Sequence, residues 1–318
     1  MYMPSHTVFW DDRLNVAVRE LLEPVVPVIE LLTHLGDGAF LIALGVIIYW
    51  FGDDASRRDR AFVLAVGIAA LALAAGIKGI VQLERPELAF TPAGYPGYTF
   101  PSAHALGAAA FYSALAVTVR LGRQWQRTVI ATLIIALVAL SRIVMGVHYL
   151  GDVVIGVVLG VGLVAAGIWW REEGRFNPGP VFIVAAAVAI VTVALGSRQF
   201  VSMAIGAGVG GAAGWYAIRD RLTSNHGTAI LVTGVLAIAG LLVVRALSLF
   251  LTGRLPSLVE SPALIAVETV AYAALTAAVI VTPRLALRFE AHPLVNTLDQ
   301  YLPFLNRRVA VERLMIDD

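Results

Sequence analysis

The chain has 318 residues, 59% of them hydrophobic and only 14% charged, with no cysteine and a formal charge of +1. Soluble domains carry roughly 25% charge, so an ordinary soluble fold is excluded; so are a disulfide framework and a thiolate site, and the balanced charge gives no footprint for nucleic acid. Several apolar runs approach the ~20 residues that a helix needs to cross a bilayer core, so the expected fold class is all-α, a polytopic transmembrane helix bundle of about nine spans plus an N-terminal interfacial helix.

Met1 to Trp10 has no basic stretch followed by an apolar core, so no cleavable signal peptide is expected and internal segments direct insertion. Residues 13–35 read as an amphipathic helix lying on the membrane. Glu20, Glu23, Glu30 and His34 share one face, Leu21, Leu22, Val25, Val28, Ile29 and Leu32 take the others, and Pro24 and Pro27 bend it. Spans are expected at 38–51, 61–83, 103–119, 128–146, 151–170, 180–196, 199–218, 228–251 and 262–282. Arginine counts orient them. Arg57, Arg58 and Arg60, then Arg120, Arg123 and Arg127, Arg171 and Arg175, Arg219 and Arg221, and five more after residue 282 fall on one side; the opposite loops hold Arg85, Arg142, Arg198 and Arg254. The richer side is read as cytoplasmic, which turns loops 84–102 and 146–151 outward. Composition divides the chain into an N-terminal segment with the interfacial helix (1–36), a five-span core (37–175), a four-span bundle of unknown role (176–283) and a cytoplasmic amphipathic tail (284–318).

Three polar clusters sit at the expected outer ends of neighbouring spans. Lys78 is the only lysine beside 22 arginines, and it stands seven residues before Arg85-Pro86, about two helical turns away. Two cations on one face suit a phosphate, Arg85 as a planar fork and Lys78 as a point charge; the bland alternative is snorkelling to lipid headgroups. Pro101-Ser102-Ala103-His104 opens the next span. Ser102 reads as an N-cap, and the same helix start offers free N–H groups to an anion. Ser141-Arg142 then precedes His148, and Asp152 follows four residues later, close enough for a carboxylate to hold one ring nitrogen and leave the other as a nucleophilic lone pair. Taken alone, a His–Asp pair is more often structural. Two histidines and an aspartate also suggest a metal, but Lys78, Arg85 and Arg142 repel a divalent cation, so the expected ligand is an anion.

The spacings Lys-x6-Arg-Pro, Pro-Ser-x-His and Ser-Arg-x5-His-x3-Asp, in this order over residues 78–152, resemble the three-part signature of the type 2 phosphatidic acid phosphatase superfamily. That resemblance implies an integral membrane lipid phosphate or diphosphate phosphatase with no metal and no cofactor. It implies that His148 attacks phosphorus, that Asp152 holds its ring, and that His104 protonates the leaving oxygen and then activates water. Lys78, Arg85, Arg142, the Ser102 hydroxyl and the amide of Ala103 would bind the phosphoryl oxygens. Ala103 departs from the family's usual glycine; the amide survives, and helical φ is expected there. A phosphotransferase with the same intermediate, or a transporter or scaffold with a relic site, stays open. Glucose-6-phosphatases and vanadium-dependent haloperoxidases share the signature, but here the site begins in the second span and the apolar spans are inconsistent with a soluble haloperoxidase.

The expected partners are a membrane-embedded phosphorylated lipid (phosphatidate, phosphatidylglycerol phosphate or a polyprenyl diphosphate) and the bilayer, with no nucleic acid. The expected location is the plasma membrane with the site facing outward. Pro92, Gly94, Tyr95, Pro96, Gly97 and Tyr98 read either as a cover over the headgroup or, for the tyrosines, as interfacial anchors. Arg245 and Glu268 fall at similar depth on adjacent spans and are expected to pair. Gly156 and Gly160, and Gly206, Gly210 and Gly214, form small-residue ridges for helix contact within the chain or between protomers, leaving a homo-oligomer open.

Overall fold

The computed structural model describes residues 8–51, 54–88, 90, 91, 95, 97–172, 174–197, 200–254 and 262–305, with backbone alone at 54–56, 240–242, 244, 245, 247–249 and 251–254. These residues form α1 (Arg13–Leu21), α2 (Val26–Leu32), α3 (Gly38–Trp50), α4 (Asp54–Val81), α5 (Ala103–Thr118), α6 (Gln124–Val144), α7 (Leu150–Ile168), α8 (Pro178–Ala194), α9 (Val201–Ile218), α10 (Gly227–Arg254), α11 (Pro262–Ala286) and α12 (Pro293–Tyr301), and no β-strand. The protein is an all-α integral membrane protein. Within the described residues, helices at Arg57–Val81, Gln124–Val144, Leu150–Ile168, Val201–Ile218 and Pro262–Ala286 are long and apolar enough to cross a bilayer. Shorter apolar helices occupy Ala103–Thr118, Pro178–Ala194 and Gly227–Ala239.

The single bent helix expected over 13–35 is instead α1, a 3₁₀ turn at Glu23–Val25, α2 and a second 3₁₀ turn at Thr33–Gly36. Pro24 and Pro27 each sit in the first turn of a new piece, where a missing N–H costs nothing, and each bars the preceding helix from running on. Leu21, Val28 and Leu31 stay exposed, while Val26 and Ile29 pack on Val144 of α6. The N-terminal segment therefore docks on the bundle as well as presenting an apolar face. After Gly36 the chain bends by 55° into α3.

One apolar core runs from Leu41 to Val295. Alanine-rich α5 is its axis, with buried faces toward α4, α6 and α7. Gly156 and Gly160 of α7 abut the Ser102 and Leu106 carbonyls of α5, and Gly206, Gly210 and Gly214 of α9 abut Thr269, Ala273 and Ala277 of α11. Both glycine ridges thus make contacts inside the chain. The later helices also brace α4, where Gly76 and Gly79 meet Thr192 and Ser197. The Arg245 side chain lies outside the described residues, and with it the expected pair with Glu268.

A Cβ on Gly210 would collide with the Ala273 backbone, whereas one on Gly67 meets nothing within 4 Å. Gly210→Ala is therefore expected to destabilise the protein by about 1–3 kcal/mol through overpacking. Gly67→Ala is expected to stabilise it by about 0.5–1 kcal/mol through helix propensity. Thermal unfolding in detergent checks both; equal shifts would show that the α9–α11 contact is not close.

Candidate active site

The C-terminal ends of α4 and α6 and the N-terminal ends of α5 and α7 gather at one end of the bundle. α4 stops at Val81 because Gln82 turns to a φ of 50°, so Arg85 lies beyond the helix on an extended segment. This corrects the expectation that Lys78 and Arg85 project from one helix face. The segment is tied back by the Thr99 amide, which donates to the Leu83 carbonyl at 2.8 Å. Lys78 is buried and donates to the carbonyls of Tyr98 at 2.5 Å and Thr99 at 2.9 Å. Arg85 donates to the carbonyls of Gly97 (3.2 Å) and Val147 (2.7 Å), and its Nη1 lies 3.2 Å from Nε2 of His148.

His148 precedes α7, since Gly146 (φ +68°) and Tyr149 carry the chain around a turn before Leu150. Its pairing with Asp152 survives that change: Nδ1 is 3.3 Å from Oδ2. Thr99 is interposed, with Oγ1 at 3.0 Å from Nδ1 while its hydroxyl donates to the same Asp152 oxygen. These contacts assign the tautomer. A guanidinium can only donate, so Nε2 accepts from Arg85 and the ring proton sits on Nδ1. Thr99 spends its own hydrogen on Asp152, which leaves its oxygen to accept that Nδ1–H. His148 is 2% exposed. Burial first, then Lys78, Arg85, Arg142 and His104, holds it well below the ordinary imidazole range and therefore neutral.

Arg142 is 1% exposed. It donates to Thr33 Oγ1 at 2.7 Å and to the Tyr95 hydroxyl at 3.2 Å, and its Nε has no hydrogen-bond partner among the described residues. The Tyr95 ring in turn lies 4.7 Å beneath the Arg85 guanidinium. Ser102 is buried and caps α5 by accepting from the Ala105 amide at 3.4 Å. The Ser102 amide donates to the Asp152 carbonyl at 3.0 Å, which joins the starts of α5 and α7. Ala103 is the first residue of α5, and outside glycine the described residues with positive φ are Gln82 and Phe200. Alanine is thus unstrained there. His104 points its Nε2 at Asp37, 2.7 Å away.

Residues 60–176 match the PAP2 superfamily. Over that stretch, which is less than half of its length, the chain is similar to that superfamily. A crystal structure of a transmembrane PAP2 type phosphatidylglycerolphosphate phosphatase from Bacillus subtilis is 27% identical and covers 52% of this chain and 87% of that one, at a TM-score of 0.46. No curated protein matches the chain.

Direct contacts join Lys78, Arg85, His148 and Asp152 through Thr99 and the 97–99 backbone; Arg142 joins them through Tyr95, Ser102 through the Asp152 backbone. His104 stands apart from these contacts, on the Asp37 side. Four residues of the surroundings escaped sequence reasoning: Thr99, Thr33, Asp37 and Asn15, whose buried amide donates to the carbonyls of Ile143 and His148 at 2.9 Å each. Thr99 lies two residues before Pro101-Ser102 and was within reach of the motif. The other three precede the matched stretch, and no spacing links them to it. Pro92, Gly94 and Pro96 of the expected cover lie outside the described residues.

Proposed function

We propose that the protein is a metal-independent phosphatase for a lipid phosphate or diphosphate, working at the outer membrane face through a phosphohistidine on His148. One observation carries this reading: a buried, neutral imidazole whose Nε2 accepts from Arg85, with Lys78 and Arg142 near enough to act on it electrostatically. That arrangement suits an anionic electrophile and repels a divalent metal ion. An arriving phosphoryl group takes over the Arg85 N–H now held by Nε2, and adds those of Arg142 and Lys78, the Ser102 hydroxyl and the Ala103 amide. The freed lone pair then faces phosphorus.

In the first step the Nε2–P bond forms and the bond from phosphorus to the lipid oxygen breaks, with His104 supplying the proton to that oxygen. In the second, water attacks phosphorus, its proton passes to His104, and the N–P bond breaks to release phosphate. Asp152, with Thr99, keeps the proton on Nδ1 throughout. Apolar helices around the site support a substrate whose tail stays in the bilayer. Arginine asymmetry supports a plasma-membrane orientation with this end outside. Helices α8 and α9 brace α4, which carries Lys78.

The test is orthophosphate release by purified protein in EDTA from vesicles containing phosphatidate, phosphatidylglycerol phosphate or a polyprenyl diphosphate. At least one is expected to be hydrolysed at a rate unchanged by the chelator. A strict requirement for added Mg²⁺ or Zn²⁺ would sink the mechanism, and label recovered in a second lipid would identify a phosphotransferase.

A further inference from the structure

The segment 33–37 precedes the matched PAP2 stretch, yet four of its residues reach the site. Thr33 Oγ1 receives Arg142 and lies 2.9 Å from Ser141 Oγ. The Leu35 carbonyl accepts from the Tyr112 hydroxyl at 2.9 Å. A Cβ on Gly36 would lie 2.6 Å from Val138 and 3.3 Å from Cβ of His104, so only glycine lets the segment come this close. Asp37 then occupies the N-cap of α3, where a carboxylate ordinarily accepts from the helix's first amides. Its side chain makes no such cap bond. Oδ1 instead lies 2.7 Å from His104 Nε2 and Oδ2 lies 2.6 Å from His34 Nδ1. His34 is exposed, so its ion pair is weakly worth holding on its own. The more buried contact is the one with His104.

We propose that Asp37 is the positioning residue of His104: its carboxylate holds the proton on Nε2 and turns Nδ1 toward the leaving oxygen. An ionised carboxylate only accepts, so Nε2 must donate and Nδ1 becomes the atom that gives and takes the catalytic proton. This rests on the phosphatase reading above. His104 enters this step as the imidazolium: as the lipid P–O bond breaks, its Nδ1 proton moves to the departing oxygen while Nε2–H stays with Asp37, leaving the neutral Nε2–H ring. When water attacks the phosphohistidine, its proton returns to Nδ1, so His104 ends the cycle as it began. Asp37 is also the carboxylate that lies against the imidazolium form, at 2.7 Å. His34 anchors the second carboxylate oxygen.

Leaving-group chemistry separates positioning of an acid from simple structural support. An alkoxide needs a proton to depart, whereas p-nitrophenolate leaves readily without one. Asp37→Asn is expected to lower kcat/KM for a short-chain phosphatidate by about 100-fold, to lower it for p-nitrophenyl phosphate by less than about 3-fold, and to recover partly as Asp37→Glu. Equal losses on both substrates, or none on either, overturn the proposal. A second measurement needs no variant at position 37: ¹⁵N-histidine spectra of the wild-type protein, with His104 assigned through His104→Gln, are expected to show the Nε2–H tautomer of the neutral ring, and an Nδ1–H tautomer overturns it. His148→Ala in the same assays must abolish turnover of both substrates; persistence there removes the phosphatase reading itself, independently of Asp37.

Discussion

Replacing His148 with alanine or glutamine is expected to remove phosphate release almost completely, a loss of about 10⁴-fold or more, because in the proposed mechanism His148 is the nucleophile. Glutamine keeps most of the buried volume, so a folded but inactive His148→Gln protein separates chemistry from stability. Wild-type enzyme quenched in alkali during turnover of a ³²P-labelled lipid is expected to carry label on residue 148 that acid then removes. Label on another residue, or full activity in either variant, would count decisively against the mechanism. In the proposed mechanism the same imidazole sets the acid limb of the rate profile. Burial and the surrounding cations hold it well below its ordinary value of 6.5. Protonation would destroy the Nε2 lone pair, so kcat/KM is expected to hold as pH falls through 6.5 and to decline only further into acid. An acid limb at or above 6.5 contradicts the neutral buried nucleophile.

Asp152→Asn carries the second large effect. An amide at this position can donate as well as accept. Donation to Nδ1 would move the ring proton to Nε2, where Arg85 also donates, so the lone pair would be lost from the reacting side. By analogy with other His–Asp pairs the expected fall in kcat is about 10³–10⁴-fold with little change in KM. Thr99 tests the same idea at smaller scale: Thr99→Val is expected to cost about 10-fold, and Thr99→Ser, which restores the hydroxyl, is expected to be nearly normal. Steady-state kinetics on one lipid substrate decide the matter. An Asp152→Asn enzyme within 10-fold of wild type would remove the tautomer argument.

The motif residues were legible because each cluster is local. Lys78 with Arg85, Ser102 with His104, and Arg142 with His148 and Asp152 each lie within about eleven residues, so type and spacing survive without coordinates. Their exact geometry was not legible. Arg85 lies beyond a helix that Gln82 ends early, and His148 before a helix that begins two residues later; a single positive φ leaves no periodic trace in an apolar run. Thr33 and Asp37 were not legible at all. Their partners are Arg142 and His104, 109 and 67 residues away, and nothing in a threonine or an aspartate beside a glycine announces such a partner.

By itself the sequence determined the solvent this protein folds in, its helical class and the cationic character of the candidate site, since these depend on summed hydrophobicity and on residue types at short range. The tertiary structure decided which atoms face one another: the imidazole nitrogen that carries the proton, the threonine between His148 and Asp152, and the carboxylate behind His104. The physical reason is that a hydrogen bond is set by ångström-scale position and direction, and those come from how distant helices pack, here through glycines that let α7 and the 33–37 segment close on α5.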